Sequence, residues 1–206
     1  MTYKKMTFLG TAVLLMILTA CATTKLSGTW KDENLSGKEF QKLLVIGAAK
    51  QQQVRELFED EFVRQLEAQG VKAIPSYTLI PAEKMLDKET IVSHIDENRI
   101  DAVLITRLTG SKGEREMETG NTYRVPYAYY NQMHEYYKKG LESTQEEPSP
   151  ATTHKVIILE TNIYNAETEK LAWATASDVY VQDATYKLTK DFIKVIVSKL
   201  VSDKVI

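Results

Sequence analysis

Two hydrophobic periodicities divide this chain. Residues 42–49, KLLVIGAA, form an unbroken apolar run between polar neighbours, the pattern of a strand buried on both faces. In the stretch that follows, QQQVRELFEDEFVRQLEAQG, apolar residues return at Val54, Leu57, Phe58, Phe62, Val63 and Leu66. Spacings of three and four predict a helix, with Phe58 and Phe62 on the face turned to the preceding strand. Arg55/Glu59 and Asp60/Arg64, opposite charges four apart, are expected on its outer face, and Gly70 is the expected stop. VKAIPSY, residues 71–77, alternates like a strand that Pro75 confines to an edge or to an early end. DKETIVSHIDENR predicts a second helix, with Asp87 as N-cap and Ile91, Val92 and Ile95 along one side. DAVLITRLTG, 101–110, reads as another buried strand. This βαβαβ order favours parallel neighbours with helices packed on the sheet.

Residues 111–153 break the pattern. A polar stretch leads into the tyrosine-rich NTYRVPYAYYNQMHEYYKKG, and the acidic, proline-containing LESTQEEPSPATTH has the composition of a flexible loop. Alternation returns in two strands, roughly 155–164 and 170–181, around the hairpin turn NAETEK. Leu188, Phe192, Ile193, Ile196, Val197 and Leu200 then fall at helical spacing, with Asp183 as the candidate cap of a closing amphipathic helix. The prediction is one α/β domain, residues 42–206. It is a mixed β-sheet with helices packed on it, in the order β-α-β-α-β-insertion-β-β-α, the insertion at about 111–153. Residues 21–41 are polar, with two glycines and no sustained apolar period, and read as a tether ending in a short edge strand around Trp30, which packs onto the domain.

The start of the chain has another logic. Lys4 and Lys5 precede a run, Phe8 to Leu18, that is apolar except at Gly10 and Thr11, and Thr19 and Ala20 lead to the only cysteine, Cys21. This is the layout of a secretory signal, too short in its apolar part for a comfortable membrane span. LTAC resembles the lipobox of bacterial lipoproteins, in which the cysteine thiol takes a diacylglycerol, the signal is removed before it and the new amino terminus is acylated. The resemblance implies a signal peptide over 1–20 and a lipid anchor at Cys21, each buried acyl CH₂ contributing about 0.8 kcal/mol. Position 22 is Ala and not the Asp that favours inner-membrane retention. The expected address is therefore the outer membrane, with the body facing the periplasm. With its one thiol taken by lipid, the mature chain has no disulfide to rely on and must fold on an ordinary core, for which its length suffices.

Charge adds little. Against 28 Asp and Glu stand 26 Lys and Arg, a net charge of −2, so neither nucleic acid nor a polybasic membrane patch has an electrostatic case. A phosphate-binding turn needs glycines at the strand end, whereas Gly47 lies inside its strand and no GxxxxGK(S/T) occurs. His94, His134 and His154 are scattered without metal-ligand spacing, and Ser76, Ser93 and Ser111 lack a GxSxG setting. Asp60 and Glu61 suit a solvated helix face better than acid–base work. These patterns point to no enzyme, no cofactor and no metal. The tyrosines differ. Tyr123, Tyr127, Tyr129, Tyr130, Tyr136 and Tyr137 crowd residues 123–137 beside Arg124 and Met133. Rings with polar tips give contact area at low rotamer cost and stack on sugars. They form either a surface for a protein or glycan partner or a lid packed on the sheet; both readings stand.

The helix VRELFEDEFVRQLEAQG, the strand DAVLITRLTG, the hairpin LETNIYNAETEKLAWATASD and the final helix together resemble small lipoproteins sharing the TolB amino-terminal-domain type of fold. These include the CsgG, LpoB and PelC types and the DUF4136-like lipoproteins. The most telling stretch is the turn Asn165 to Lys170 followed by Leu171-Ala172-Trp173. The resemblance covers roughly 40–110 and 155–206, and its motifs are structural. It lacks a pore-forming hairpin of the CsgG kind, since 111–153 has no alternating apolar strands. What it implies is a non-enzymatic accessory of envelope assembly or export, acting through contact with envelope proteins or with further copies of itself.

Overall fold

The computed structural model describes residues 24–35, 39–49, 51–81, 84, 88–113, 133, 155–181 and 185–206. In chain order these form β1 (Thr24–Lys31), β2 (Lys42–Ala48), α1 (Gln52–Glu67), β3 (Lys72–Pro75), α2 (Lys88–Asn98), β4 (Ala102–Gly113), β5 (Lys155–Asn165), β6 (Leu171–Val181) and α3 (Thr185–Ser202). The strands make one six-stranded sheet ordered β1-β6-β5-β4-β2-β3. Strand β2 is parallel to both β3 and β4, and the remaining pairs are antiparallel. The expected α/β class, mixed sheet and element order are those observed. Asp87 and Asp183, the expected helix caps, lie outside the described residues.

Helices on both sides explain the unbroken apolar run of β2. Leu43 and Val45 join a core with Phe62 and Leu66 of α1 and Phe192 and Ile196 of α3. Leu44 and Ile46 point the other way, into a second core with Ile80, Ile91 and Ile95, the last two from α2. Met133, from within the insertion, is buried in this second core. Strand β3 is an edge strand that ends at Pro75, where the missing N–H costs no ladder bond. Among the described residues no helix is long and apolar enough to cross a membrane.

Helix α1 is rotated from its expected setting. Phe62 is fully buried and Phe58 partly so, and both rings meet Phe192, with centroids 6.4 and 6.0 Å away. Val54 and Leu57, expected on the buried face, are exposed, whereas Arg55 and Glu59, expected outside, are buried. Arg64 pairs with Glu61 and not with Asp60, which accepts a hydrogen bond from the Tyr77 hydroxyl at 2.7 Å. That bond pushes the Tyr77 phenol up to about 12. The reason is local: buried polar donors at the end of β2 need an acceptor, and they hold the Glu59 side of the helix against the sheet. Gly70 ends the segment in the left-handed region, φ 84°, as expected of a stop.

The stretch expected as a tether enters the sheet. Strand β1 runs the length of β6, from Thr24 opposite Val179 to Lys31 opposite Trp173. As an edge strand it buries little: Leu26 packs on the first core and Trp30 on the second, which leaves too few apolar positions for a visible period. At its far end Trp173, fully buried, donates its Nε1–H to Asp203 Oδ2 at 2.9 Å, and Lys199 Nζ pairs with Oδ1 at 2.7 Å. A bulge at Ala172 puts Ala172 and Trp173 on the same core, Ile163 facing Trp173 and Tyr164 facing Leu171. The hairpin turn closes as expected: Asn165 Oδ1 accepts the Thr168 N–H, and Asn165 N–H donates to the Lys170 carbonyl.

Phe62→Ala is expected to cost about 3–5 kcal/mol in urea denaturation, as for other fully buried Phe truncations; a loss under about 1 kcal/mol would mean that the ring is not in the core. A second expectation concerns acid. Burial pushes the Asp203 carboxyl up, but hydrogen bonds from Lys199 and Trp173 and the charges of Lys199 and Lys31 together outweigh it and hold it below its ordinary value of 3.8. A depressed carboxylate stabilises the fold above its unfolded pKa, and that contribution fades as pH falls through the folded pKa. Asp203→Asn should therefore lower stability at neutral pH and flatten its decline below about pH 4, read from denaturation midpoints across pH.

Candidate functional site

The two halves of the sheet end at different heights. Strand β2 stops at Ala48, opposite Arg107, while β4 continues to Gly113. Beyond that point β4, β5, β6 and β1 run on as an antiparallel ladder. Its last rungs join Gly113 to Lys155 and Lys155 to Val181, and two rungs below, Ser111, Ile157, Val179 and Thr24 lie in register. Both roots of the segment 114–154 therefore leave the sheet at the end where β1 begins. Cys21 and the tyrosines Tyr123, Tyr127, Tyr129, Tyr130, Tyr136 and Tyr137 lie outside the described residues.

A band of polar residues crosses the sheet where the ladder emerges. On the face of the second core, Arg107 of β4 and Glu160 of β5 are direct cross-strand partners, Nη2 to Oε2 at 2.9 Å, and both are buried. Burial pushes the Glu160 carboxyl up against the opposing pull of Arg107. Two residues further along β5, Asn162 donates to the Tyr164 hydroxyl at 3.2 Å. On the opposite face Thr106, Thr161, Thr175 and Thr29 form a transverse row, with Thr106–Thr161 at 3.0 Å and Thr29–Thr175 at 3.2 Å. β-branched hydroxyl side chains suit strands and bond across them, so these four threonines are joined in two pairs.

The carboxyl ends of β2 and β3 are occupied by a second buried network. Glu59 Oε1 accepts from the Gly47 N–H at 2.9 Å, from Arg55 Nε at 2.9 Å and from the Ser76 hydroxyl at 2.7 Å, while Oε2 accepts from the Tyr77 N–H at 3.0 Å. Arg55 Nη2 also donates to Ser76 Oγ at 2.7 Å. In open α/β sheets this crevice is where ligands bind. Here the N–H groups a phosphate would need are already given to Glu59. A Cβ at Gly47 would lie 3.4 Å from Phe58 and 3.6 Å from Glu59, ordinary van der Waals contact, so the helix packs closely on the strand here.

The other residues singled out by sequence do not converge. His94 sits 3.4 Å from Glu97 on α2, Ser76 belongs to the Glu59 network, Ser93 bonds the Thr90 carbonyl and Ser111 is exposed on the ladder. His134 and His154 lie outside the described residues. Among the described residues no three His, Cys, Asp or Glu side chains are placed to hold a metal ion. A shallow groove between β1 and α3 is lined by Leu26, Val195, Lys194, Lys199 and two serines. Sequence reasoning paired Arg55 with Glu59 but set the pair on the outer face, and it missed the Arg107–Glu160 pair. A signal existed for the latter: Arg107 and Glu160 are lone opposite charges inside two strands of buried type, and each calls for a partner.

No family model matches this chain, and no curated protein matches it. Among solved structures it is similar to the PelC dodecamer from Paraburkholderia phytofirmans, with a TM-score of 0.44 and 9% identity over 86% of this chain and 94% of that one. A single-substitution variant of that PelC gives 0.43 and 9%, covering 86% and 97%. A PDZ domain protein from Parabacteroides distasonis gives 0.38 and 10%, covering 84% of this chain and 34% of that one.

Glu59→Ala should destabilise the fold by about 3–5 kcal/mol, because it strands the buried Arg55 guanidinium. Replacing both partners, Arg55→Met with Glu59→Leu, should recover part of that loss. Equal denaturation midpoints for wild type and Glu59→Ala would remove the network from the stability of the fold.

Proposed function

We propose that this protein is a non-enzymatic lipoprotein of a bacterial cell envelope. Acyl chains on Cys21 hold it to the outer membrane, facing the periplasm, and it serves envelope assembly or export by contact with other envelope proteins or with copies of itself. The observation that carries the reading is LTAC, with the chain's only thiol, at the end of a basic and apolar leader. The charge economy of the domain supports the non-enzymatic part: the buried ionic groups Arg55, Glu59, Arg107 and Glu160 are engaged in holding elements together. The contact surface in this reading is the tyrosine-rich segment, Tyr123, Tyr127, Tyr129, Tyr130, Tyr136 and Tyr137. Its ring-and-hydroxyl chemistry also favours a second reading, in which the segment grips peptidoglycan or an exported glycan, as a binding module or as an enzyme on such a substrate.

Crosslinking of the native lipoprotein in intact cells tests this. A variant with Tyr127, Tyr129, Tyr130 and Tyr136 changed to Ser should melt almost as wild type and lose its crosslinks. Aromatic anchors at interface centres cost about 2 kcal/mol or more each when truncated, roughly thirtyfold in affinity. A variant that melts many degrees lower yet crosslinks as before makes the tyrosines a self-packed lid and defeats the contact reading. Saturable retention of the wild-type domain on glycan fragments, without protein crosslinks, selects the second reading.

A further inference from the structure

We propose that the ladder end of the sheet, the end bearing Thr24, Ser111 and the Gly113–Lys155 rung, docks on the lipid surface that holds Cys21, with the β5–β6 turn pointing away from the membrane. The inference rests on the lipid anchor proposed above and assigns the partner class of this end: the headgroup zone of the bilayer.

Chain length carries the argument. Thr24 is already paired to Val179 in the sheet, and only three Cα–Cα steps separate it from Cys21. At 3.80 Å per step they span at most about 11 Å. A diacylated Cys21 lies at headgroup level, so the Thr24 rung is held within that distance of the lipid. Topology then fixes what else comes near. Thr24, Val179, Ile157 and Ser111 share one rung across β1, β6, β5 and β4. Three strand spacings make it about 14 Å wide. Both roots of the tyrosine-rich segment leave just beyond it, and tyrosine favours the membrane–water interface.

The opposite end is far away. From Ile157 in the anchored rung, β5 runs to Asn165, about 26 Å at 3.3 Å per residue, and Glu167 lies exposed in the turn beyond. A domain standing on its ladder end thus presents the turn, Asp101 and Asp203 to the periplasm. Had residues 22–41 been the expected tether, no orientation would follow. The pairing of Thr24–Lys31 as β1 shortens the leash and creates one.

The test uses the full lipidated chain, in which acylation consumes the native thiol and an introduced cysteine is the only free one. Ser111→Cys and Glu167→Cys, each carrying a fluorophore, are placed in vesicles of phosphatidylethanolamine and phosphatidylglycerol doped with a nitroxide-headgroup lipid. Both positions are exposed, and unchanged thermal melting of each variant confirms the fold. The label at 111 should lose most of its emission and the label at 167 almost none. Equal quenching, as for a domain lying on its side or swinging freely, overturns the orientation while leaving the anchor intact. Mass analysis of the N-terminal peptide reads the anchor separately: an unacylated Cys21, or a Cys21→Ala variant that still incorporates labelled fatty acid, removes the foundation. Shielding of the 111 label in native membranes but not in protein-free vesicles gives this end to an envelope protein and also overturns the proposal.

Discussion

A carboxylate without access to water sets the parallel half of this protein. Removing an ion of that size from water costs several kcal/mol, and only a full set of donors offsets it. Glu59 has such a set: two backbone N–H groups, a guanidinium and a hydroxyl. The donors come from β2, from α1 itself and from the turn after β3, so one side chain fixes the relative position of three consecutive elements. Helix α1 turns to serve it, which is why Val54 and Leu57 face solvent while Arg55 does not. The phenylalanine cluster with α3 then builds on a helix whose rotation is already fixed.

The antiparallel half obeys a different constraint. Its strands are longer than β2, and their interior carries polar side chains that must find partners across the ladder. Arg107 with Glu160, and the threonine row on the other face, supply such partners on two adjacent rungs. Because β1 closes this half in the antiparallel sense, the chain enters the sheet at the end from which the tyrosine-rich segment departs. Trp173, held by Asp203 and Lys199, closes the other end. Thr24 and the two strand ends that flank residues 114–154, Gly113 and Lys155, thus share one pole of the domain, and the hairpin turn and C-terminus share the other.

Much of this was legible in the residues themselves. The run KLLVIGAA marked a strand covered on both sides, the Phe192-to-Leu200 spacing a helix with one apolar stripe, and Pro75 an edge or an early strand end. Hydrophobic period records which faces lose water, and it does so locally. The leader pattern that ends at Cys21, the ground for the proposed anchor, is equally local. What the period cannot record is an edge strand that buries only Leu26 and Trp30, or a helix whose inward face is partly ionic. Arg55 and Glu59 four apart look the same on a solvated surface and in a core, because pairing of opposite charges is their local signature in both. Only the tertiary structure decides which applies, by bringing the Gly47 and Tyr77 N–H groups to a carboxylate 12 and 18 residues away in the chain. Likewise, that residue 24 lies in one rung with residue 111 follows from strand order alone, and strand order arises from long-range pairing that no local pattern encodes.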